Sequence, residues 1–465
     1  MSQATQSPTK ALPVGFFLRG RLNEGQDVYC PAPDGVEFVT PRLNPDEMVW
    51  LRDGGFPAAE LSLDDVLNFL TATGDALRRD GKGYVSDALH RISQVNPLGG
   101  GQLRRQMDAA IGLFDRELME LEYRQAFGDQ PEGWLTVNGP GGLTFQKRWV
   151  PTRLVHVMAG NTPHGGPQAI IRTALARGVA LMKLPSNDPF TSIAVLNTMK
   201  DLDPDHPLIQ CFSAVYWRGG DVEVESVIFR PQYFDKVVAW GGEAAIKNVV
   251  KYLGPGLELI AFDPKTSISV IDEGAFESPG TLKDAADRAA MDVRYQEGCA
   301  TSRHQFVRGT VEQVDAYCAA LLTAMHEFHE RVQGCGKVTP RDIIEEVDAL
   351  RDLEPEYRVW GASDGSGLVV RSSEPVDFYP DARTVNVVQI DGLDDVAGFV
   401  TEATQTVGVY PPASKYEIRD RLILAGVDRI GDLGYSSPGP TGGMGGPHDG
   451  MIPLQRFVRW IYSSI

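Results

Sequence analysis

A chain of 465 residues is too long for one hydrophobic core and calls for two or three domains. Its 42% apolar content is that of an ordinary globular protein, and a formal net charge of −18 argues against a phosphate-backbone partner, which needs a basic face. Five widely spaced cysteines (Cys30, Cys211, Cys299, Cys318, Cys335) contain no CxxC pair, which excludes a zinc site and a disulfide framework.

No apolar run approaches the roughly 20 residues needed to span a bilayer, and the polar N-terminus lacks a signal pattern. A reduced, soluble, cytoplasmic protein with no nucleic-acid partner and no membrane span is expected. The first sixty residues alternate short β-like pieces with Pro and Gly. "SLDDVLNFLTATGDALRR" then takes a helical period, with Ser62 as N-cap and acidic residues in the first turn. "LRRQMDAAIGLFDRELMELEYRQAF" reads as one long amphipathic helix. "GWLTVNGPGGLTFQKRWV" is a hairpin signal, and a lone hairpin is marginal in water, so it needs a second surface to pack on.

From Pro151 to Asp272 strands alternate with helices: "TRLVHVMAG", "VALMKLP", "CFSAVYW", "KVVAW", "LELIAF" and "SISVID" are the strands. Such a series builds a mostly parallel sheet of βαβ units. "TLKDAADRAAMDVRYQEG" is a helix that delivers Cys299, and "HQFVRG" is the strand after it. A long helix, a strand pair near "YRVWGASDGSGLVVRS", the strand "TVNVVQID" and a helix "LDDVAGFVTEAT" make a second α/β unit. The glycine-rich stretch "GPTGGMGGPHDG" leads into an apolar, β-prone tail.

Parallel sheets bind ligands at the carboxyl ends of their strands, where helix N-termini attract phosphate. Gly241 and Gly242, after the strand ending at Trp240, let backbone approach a pyrophosphate; read alone, the pair is equally a tight turn. Lys183, at another strand end, is available to a ribose or phosphate, or is a solvated lysine. Asn161, in the turn "MAGNTPHGG", can donate to a developing oxyanion, or satisfy turn backbone. Cys299 is a nucleophile for a carbonyl or a small buried hydrophobe. His326 and His329 share a helix face without a third ligand, so no metal site is expected. His448 and Asp449 could complete a Cys-His-Asp hydrolase with Cys299.

Taken in order, "AGN", the strand ending in Lys183, Gly-Gly after a strand, "LEL" with Glu258, and "QEGC" with Cys299 resemble the aldehyde dehydrogenase superfamily. The setting of Gln296, Cys299 and Ser302, "RTVNVV" around Arg383, and the tail "GGPHDGMIPLQRFVRW" are similar to its LuxC-like acyl-CoA reductase (fatty acyl reductase) branch, over roughly residues 100 to 465.

The resemblance implies an α/β, aldehyde dehydrogenase-like fold: a Rossmann-type cofactor domain, an α/β catalytic domain and an oligomerisation hairpin. The expected organisation is an N-terminal part (1–132) whose helices pack on the cofactor domain, the hairpin (133–150), the cofactor domain (151–272), the catalytic domain (273–440), and a loop and oligomerisation tail (441–465). It implies Cys299 as nucleophile and Asn161, with the Cys299 N–H, as oxyanion hole. Glu258 matches the general base. Lys183 matches the ribose contact, and Trp240, Gly241 and Gly242 the turn near the pyrophosphate. Two segments depart from the superfamily: "PDARTV" lacks the glutamate that holds the nicotinamide ribose, and "LELIAF" lacks the glycines that follow the general base.

The implied reaction is NADPH-dependent reduction of an acyl-CoA, fatty by resemblance, to the aldehyde through a cysteine acyl-enzyme. Ser186 stands where NAD-preferring relatives carry a glutamate, so NADP(H) is expected over NAD(H), with coenzyme A entering as part of the substrate. A homo-oligomer is implied; an acyl-activating synthetase as partner stays open, as do aryl or short functionalised acyl groups. The rivals are a hydrolytic NAD(P)-dependent aldehyde dehydrogenase, a nicotinamide-independent cysteine acyltransferase or thioesterase, and a non-catalytic acyl-binding subunit.

Overall fold

The structure is a computed structural model that describes residues 11–128, 132–293, 298–331, 339–434 and 444–464. Gln296, Glu297 and Cys335 lie outside the described residues. The chain divides into two compact units. The first takes residues 1–96, 103–263 and 440–465; the second takes 97–102 and 264–439.

The first unit is built on a seven-stranded sheet. Its order is Glu258–Phe262, Lys236–Trp240, Arg153–Val157, Val179–Lys183, Phe212–Val215, Phe16–Leu18, Arg21–Asn23. The first five strands are parallel, and the two N-terminal ones add antiparallel at the edge. Helices on both faces bury the central strands completely, which is why they read as continuous apolar runs such as Val179–Met182. The chain enters at Arg153–Val157 in the middle, builds outward through Lys183, then returns to the other side of that first strand at Lys236–Trp240. The order of strands therefore reverses at the Arg153 strand, and the loops at its carboxyl end flank the switch point where such sheets bind ligands.

The second unit carries its own seven-stranded sheet, parallel except for Arg358–Ala362 at one edge. The order continues through Gly367–Ser372, Thr384–Ile390, Ser302–Arg308, Thr266–Ile271, Thr404–Tyr410 and Arg429–Asp432. One face packs on the helices Pro279–Val293 and Val311–Arg331 through Ala286, Ala289, Tyr317 and Leu321. The other packs Val270, Val407 and Val409 against Ile418 and Leu422.

Three sequence expectations change. "SISVID" does not close the first series: Thr266–Ile271 is a central strand of the second sheet, joined to Ser302–Arg308 and Thr404–Tyr410. The long helix is two, Gly100–Gly112 and Arg116–Phe127, because Asp115 caps the second by accepting from the Leu118 N–H. "LDDVAGFVTEAT" forms only a short 3-10 turn, Leu393–Gly398. The N-terminal residues supply two strands of the first sheet.

The hairpin is Leu135–Asn138 with Thr144–Pro151, and it gains a third strand, Val458–Ser464. Lys236 Nζ donates to the carbonyls of Arg456 (2.6 Å) and Val458 (3.0 Å), which fixes the tail at the amino edge of the first sheet.

Candidate active site

The carboxyl edge of the first sheet gathers most of the expected coenzyme residues. Lys183 ends its strand half-buried, with Nζ 5.5 Å from the centre of the Trp217 ring and 3.9 Å from the site a Gly219 Cβ would take. Nζ makes no hydrogen bond among the described residues. Burial pulls its pKa down to about 8, with Glu225 opposing. Glu225 is itself buried, accepting from Trp217 Nε1 (3.3 Å), the Gly220 N–H (3.0 Å) and Asn248 Nδ2 (2.8 Å), so it braces the wall beside Lys183. Ser186 is exposed in the turn that follows.

Trp240 ends the next strand across the switch point and stacks on Phe262, centroids 3.5 Å apart. Its Nε1 is buried and has no partner among the described residues. Gly241 has φ +149°, a region open to glycine, and Gly242 caps the helix Glu243–Val250 with nothing within 4 Å of a Cβ built on it. A cation and a buried indole N–H, neither hydrogen-bonded among the described residues, and an open glycine turn at a helix N-terminus fit a dinucleotide phosphate.

Asn161 sits in the turn after Val157, at the same edge. Gly160 is obligatory there, since a Cβ would fall 2.0 Å from Asn187 Oδ1 and 2.9 Å from Pro185 Cβ. Asn96 Nδ2 donates to the carbonyls of Gly160 (2.9 Å) and Asn187 (3.0 Å), tying the Asn161 turn to the Ser186 turn. Sequence reasoning passed over Asn96; "VNP" after a helix carries no signal of this role. His164 accepts or donates at Thr162 Oγ1, 2.7 Å away, and burial pulls its pKa down to about 4.

Glu258, which the resemblance matches to the general base, is not at this edge. It begins its strand opposite Lys236, whereas Phe262, four residues on, pairs with Trp240. At about 3.3 Å per residue, Glu258 lies roughly 13 Å away at the amino edge. There it pairs with Lys236 (2.9 Å) and Arg456 (2.7 Å). Missing the glycines of the expected pattern, "LELIAF" runs straight on as strand, and the aromatic Phe262 occupies the carboxyl end. His448 joins Phe262 and Trp240 there, ring centroids 5.2 and 5.7 Å away.

In the second unit, Cys299 is half-buried in the turn Gly298–Ala300, before the strand Ser302–Arg308. Ser267 Oγ donates to its carbonyl at 2.7 Å, and Thr301 N–H closes the turn on the Gly298 carbonyl at 3.0 Å. Beneath, Ser302 and Ser269 share a buried hydroxyl bond of 2.7 Å. The turn is thus fixed from its neighbouring strand by side chains too short to compete with a substrate. Arg383 is buried with φ +60° and donates to the Gly365 carbonyl at 3.4 Å. His326 Nε2 lies 3.0 Å from Ser366 Oγ, and no group of three or more His, Cys, Asp or Glu among the described residues could hold a metal ion.

The sequence model of the acyl-CoA reductase (LuxC) family matches residues 58–460. The long-chain acyl-protein thioester reductase of Photorhabdus luminescens is 28% identical over 96% of this chain and 92% of its own length. That of Aliivibrio fischeri is 30% identical over 69% of this chain and 66% of its own. Among solved structures, an oxidoreductase from Marinobacter aquaeolei superposes with a TM-score of 0.71 at 16% identity, covering 99% of each chain. The NADP-dependent glyceraldehyde-3-phosphate dehydrogenase of Bacillus halodurans, solved with NADP, gives 0.71 at 13% identity, covering 98% of this chain and 99% of its own. Lactaldehyde dehydrogenase from Escherichia coli gives 0.70 at 13% identity, with the same coverage. The chain belongs to the acyl-CoA reductase (LuxC) family, an enzyme of the acyl reductase type on the aldehyde dehydrogenase fold.

Proposed function

We propose that the chain reduces a long-chain acyl thioester to the aldehyde, with NADPH as reductant and Cys299 as the residue that carries the acyl group. The observation that carries the reading is the Cys299 turn: a half-buried thiol at the head of a strand, its backbone locked by Ser267. The Cys299 sulfur attacks the thioester carbonyl, and the Asn161 amide donates to the oxyanion. Collapse expels the carrier thiol and leaves an acyl-Cys299 thioester. When bound, the coenzyme supplies hydride to the acyl carbon. Breaking the carbon–sulfur bond of the resulting thiohemiacetal releases the aldehyde and returns Cys299. Lys183 and the Trp240–Gly242 turn would hold the coenzyme.

Ser186, uncharged, tolerates a ribose 2′-phosphate, and Lys183 attracts one; this supports NADP(H) over NAD(H). Coenzyme A is the carrier we propose, and the curated relatives, named for acyl-protein thioesters, add a protein thiol as a second carrier of the same bond. A homo-oligomer through the three-stranded sheet is proposed because Trp460 and Tyr462 are exposed on it and Trp134 is exposed just before its first strand. Glu258, ion-paired at the opposite sheet edge, gives no support to a water-activating base.

The test is NADPH oxidation over fatty, aryl and short acyl-CoA thioesters, with aldehyde identified as product and Cys299→Ala as control. Thioester-dependent oxidation that Cys299→Ala abolishes is expected. Thioester hydrolysis without nicotinamide, or oxidation of aldehydes to carboxylates with no reaction of thioesters, would sink it.

A further inference from the structure

We infer that Arg429, balanced by the buried carboxylate of Asp292, is the positioning residue that keeps Cys299 as a thiolate. The inference rests on the reading of Cys299 as nucleophile. The nucleophilic form of a cysteine is the anion, so its surroundings must supply positive charge. The helix that leads to Cys299 supplies the opposite: Pro279–Val293 runs toward the cysteine with its carboxyl end, where the macrodipole is negative. Its last turn also carries Asp292, fully buried. Left with these two alone, a thiolate would be disfavoured.

Arg429 comes from the far edge of the same sheet. It opens the strand Arg429–Asp432 opposite Thr406. Thr404 and Val407 of that neighbouring strand pair with Thr266 and Ile268, which places Arg429 level with Ser267, two strands away. Two strand spacings are about 10 Å. Ser267 is the residue that holds the Cys299 carbonyl, and a long guanidinium side chain covers most of such a gap. Its Nε is buried. Burial lowers the Arg429 pKa, and Asp292 and, when ionised, Cys299 oppose that, which couples both groups to the one guanidinium.

Space for this arrangement is built into the backbone. Gly408 lies beneath Asp292: a Cβ there would sit 3.0 Å from Asp292 Oδ2. Its register partner on the Arg429 strand is Gly431. Asp292 Oδ2 accepts the Gly434 N–H at 2.8 Å, which pins the segment following that strand to the helix that leads to Cys299. Other charges of this edge are engaged elsewhere: Lys265 with Asp428 (2.5 Å), Arg303 with Asp381 (2.9 Å) and Lys415 with Asp432 (2.7 Å). Burial raises the pKa of the Tyr317 hydroxyl, with Cys318 and Asp292 adding to it, so that group stays neutral.

The experiment is alkylation of the full chain by iodoacetamide from about pH 5 to pH 9, followed on the Cys299 peptide by mass spectrometry. Loss of a nearby positive charge lowers the thiolate fraction of such a thiol about tenfold. Arg429→Gln should therefore slow Cys299 alkylation about tenfold at neutral pH and move the profile upward. Arg429→Lys should restore most of the rate. Asp292→Asn should move the profile the other way. A profile for Arg429→Gln that superimposes on the parent, in a protein with native melting behaviour, overturns the inference. If Arg429→Gln does not fold, the neutral pair Arg429→Gln/Asp292→Asn is compared with Asp292→Asn alone, and superimposable profiles again overturn it. Failure of the underlying functional reading looks different: acyl-CoA then leaves no acyl label on Cys299, whatever the alkylation profile.

Discussion

Replacing Glu258 by glutamine separates the place of a residue in a motif from its place in the fold. The carboxylate is 43% exposed and pairs with Lys236 at 2.9 Å and Arg456 at 2.7 Å. Pairs this open to solvent are worth about 1 kcal/mol at most. Lys236 keeps two backbone carbonyls after the substitution, so no buried charge is left bare. Glu258→Gln should lower the melting temperature by about 2–4 °C and change kcat for acyl-CoA reduction less than about twofold. A base at the reacting carbon would contribute about 100-fold to 10,000-fold. Burial raises the Glu258 pKa, but the hydrogen bonds and charges of Lys236 and Arg456 outweigh it and leave it lowered. A lowered carboxylate stabilises the fold above its unfolded pKa and ceases to as pH falls through the folded value, so parent and variant should converge in melting temperature as pH falls below the ordinary glutamate range. Scanning fluorimetry and steady-state NADPH oxidation measure both arms. A fall in kcat of a hundredfold or more, with melting within a few degrees of the parent, would refute the placement of Glu258 outside the chemistry.

Three other outcomes follow from the same geometry. Lys183 is held to a pKa of about 8 by burial, so it loses its charge as pH rises through that value and the KM for NADPH should climb there; Lys183→Met should raise KM at neutral pH and flatten the climb, and an unchanged pH dependence contradicts its role. Glu122 and Arg172 are 2% and 0% exposed and paired at 2.8 Å, so Glu122→Gln takes the paired carboxylate from a buried guanidinium and should cost about 3–5 kcal/mol in urea unfolding; a loss below about 1 kcal/mol would show that the site rehydrates. Trp460→Glu with Tyr462→Glu should lower the molar mass seen by light scattering if the three-stranded sheet joins copies, and an unchanged mass excludes that surface.

Much of the fold was legible because burial on both faces forces unmistakable apolar runs. Val179–Lys183 and Thr384–Ile390 could be little else than central parallel strands. The hairpin around Gly139–Gly142 announced itself by turn chemistry. Local signals failed where the partner is distant. Nothing in "TSISVI" says which of two sheets it joins, since that is decided by pairing with Ser302–Arg308, far along the chain. The break at Asp115 was hidden by continuous helical periodicity on both sides. Site residues divide similarly. Lys183, Gly241 and Gly242 lie on strand ends, where order along the chain implies position. Asn96 and Arg429 act through backbone and charge across the fold, and carry no motif. "LEL" fixes composition, while the edge of the sheet that Glu258 occupies depends on where the strand starts.

The tail strand Val458–Ser464 has a bearing on synthesis. Residues 444–464 belong to the first unit, yet the ribosome makes them after the entire second unit. Until they emerge, Lys236 lacks both its carbonyl acceptors and Thr152 lacks the Phe457 carbonyl it bonds at 2.6 Å. The first unit therefore cannot complete these contacts until residues 264–439 have been made, although its seven-stranded sheet is drawn entirely from residues 16–262.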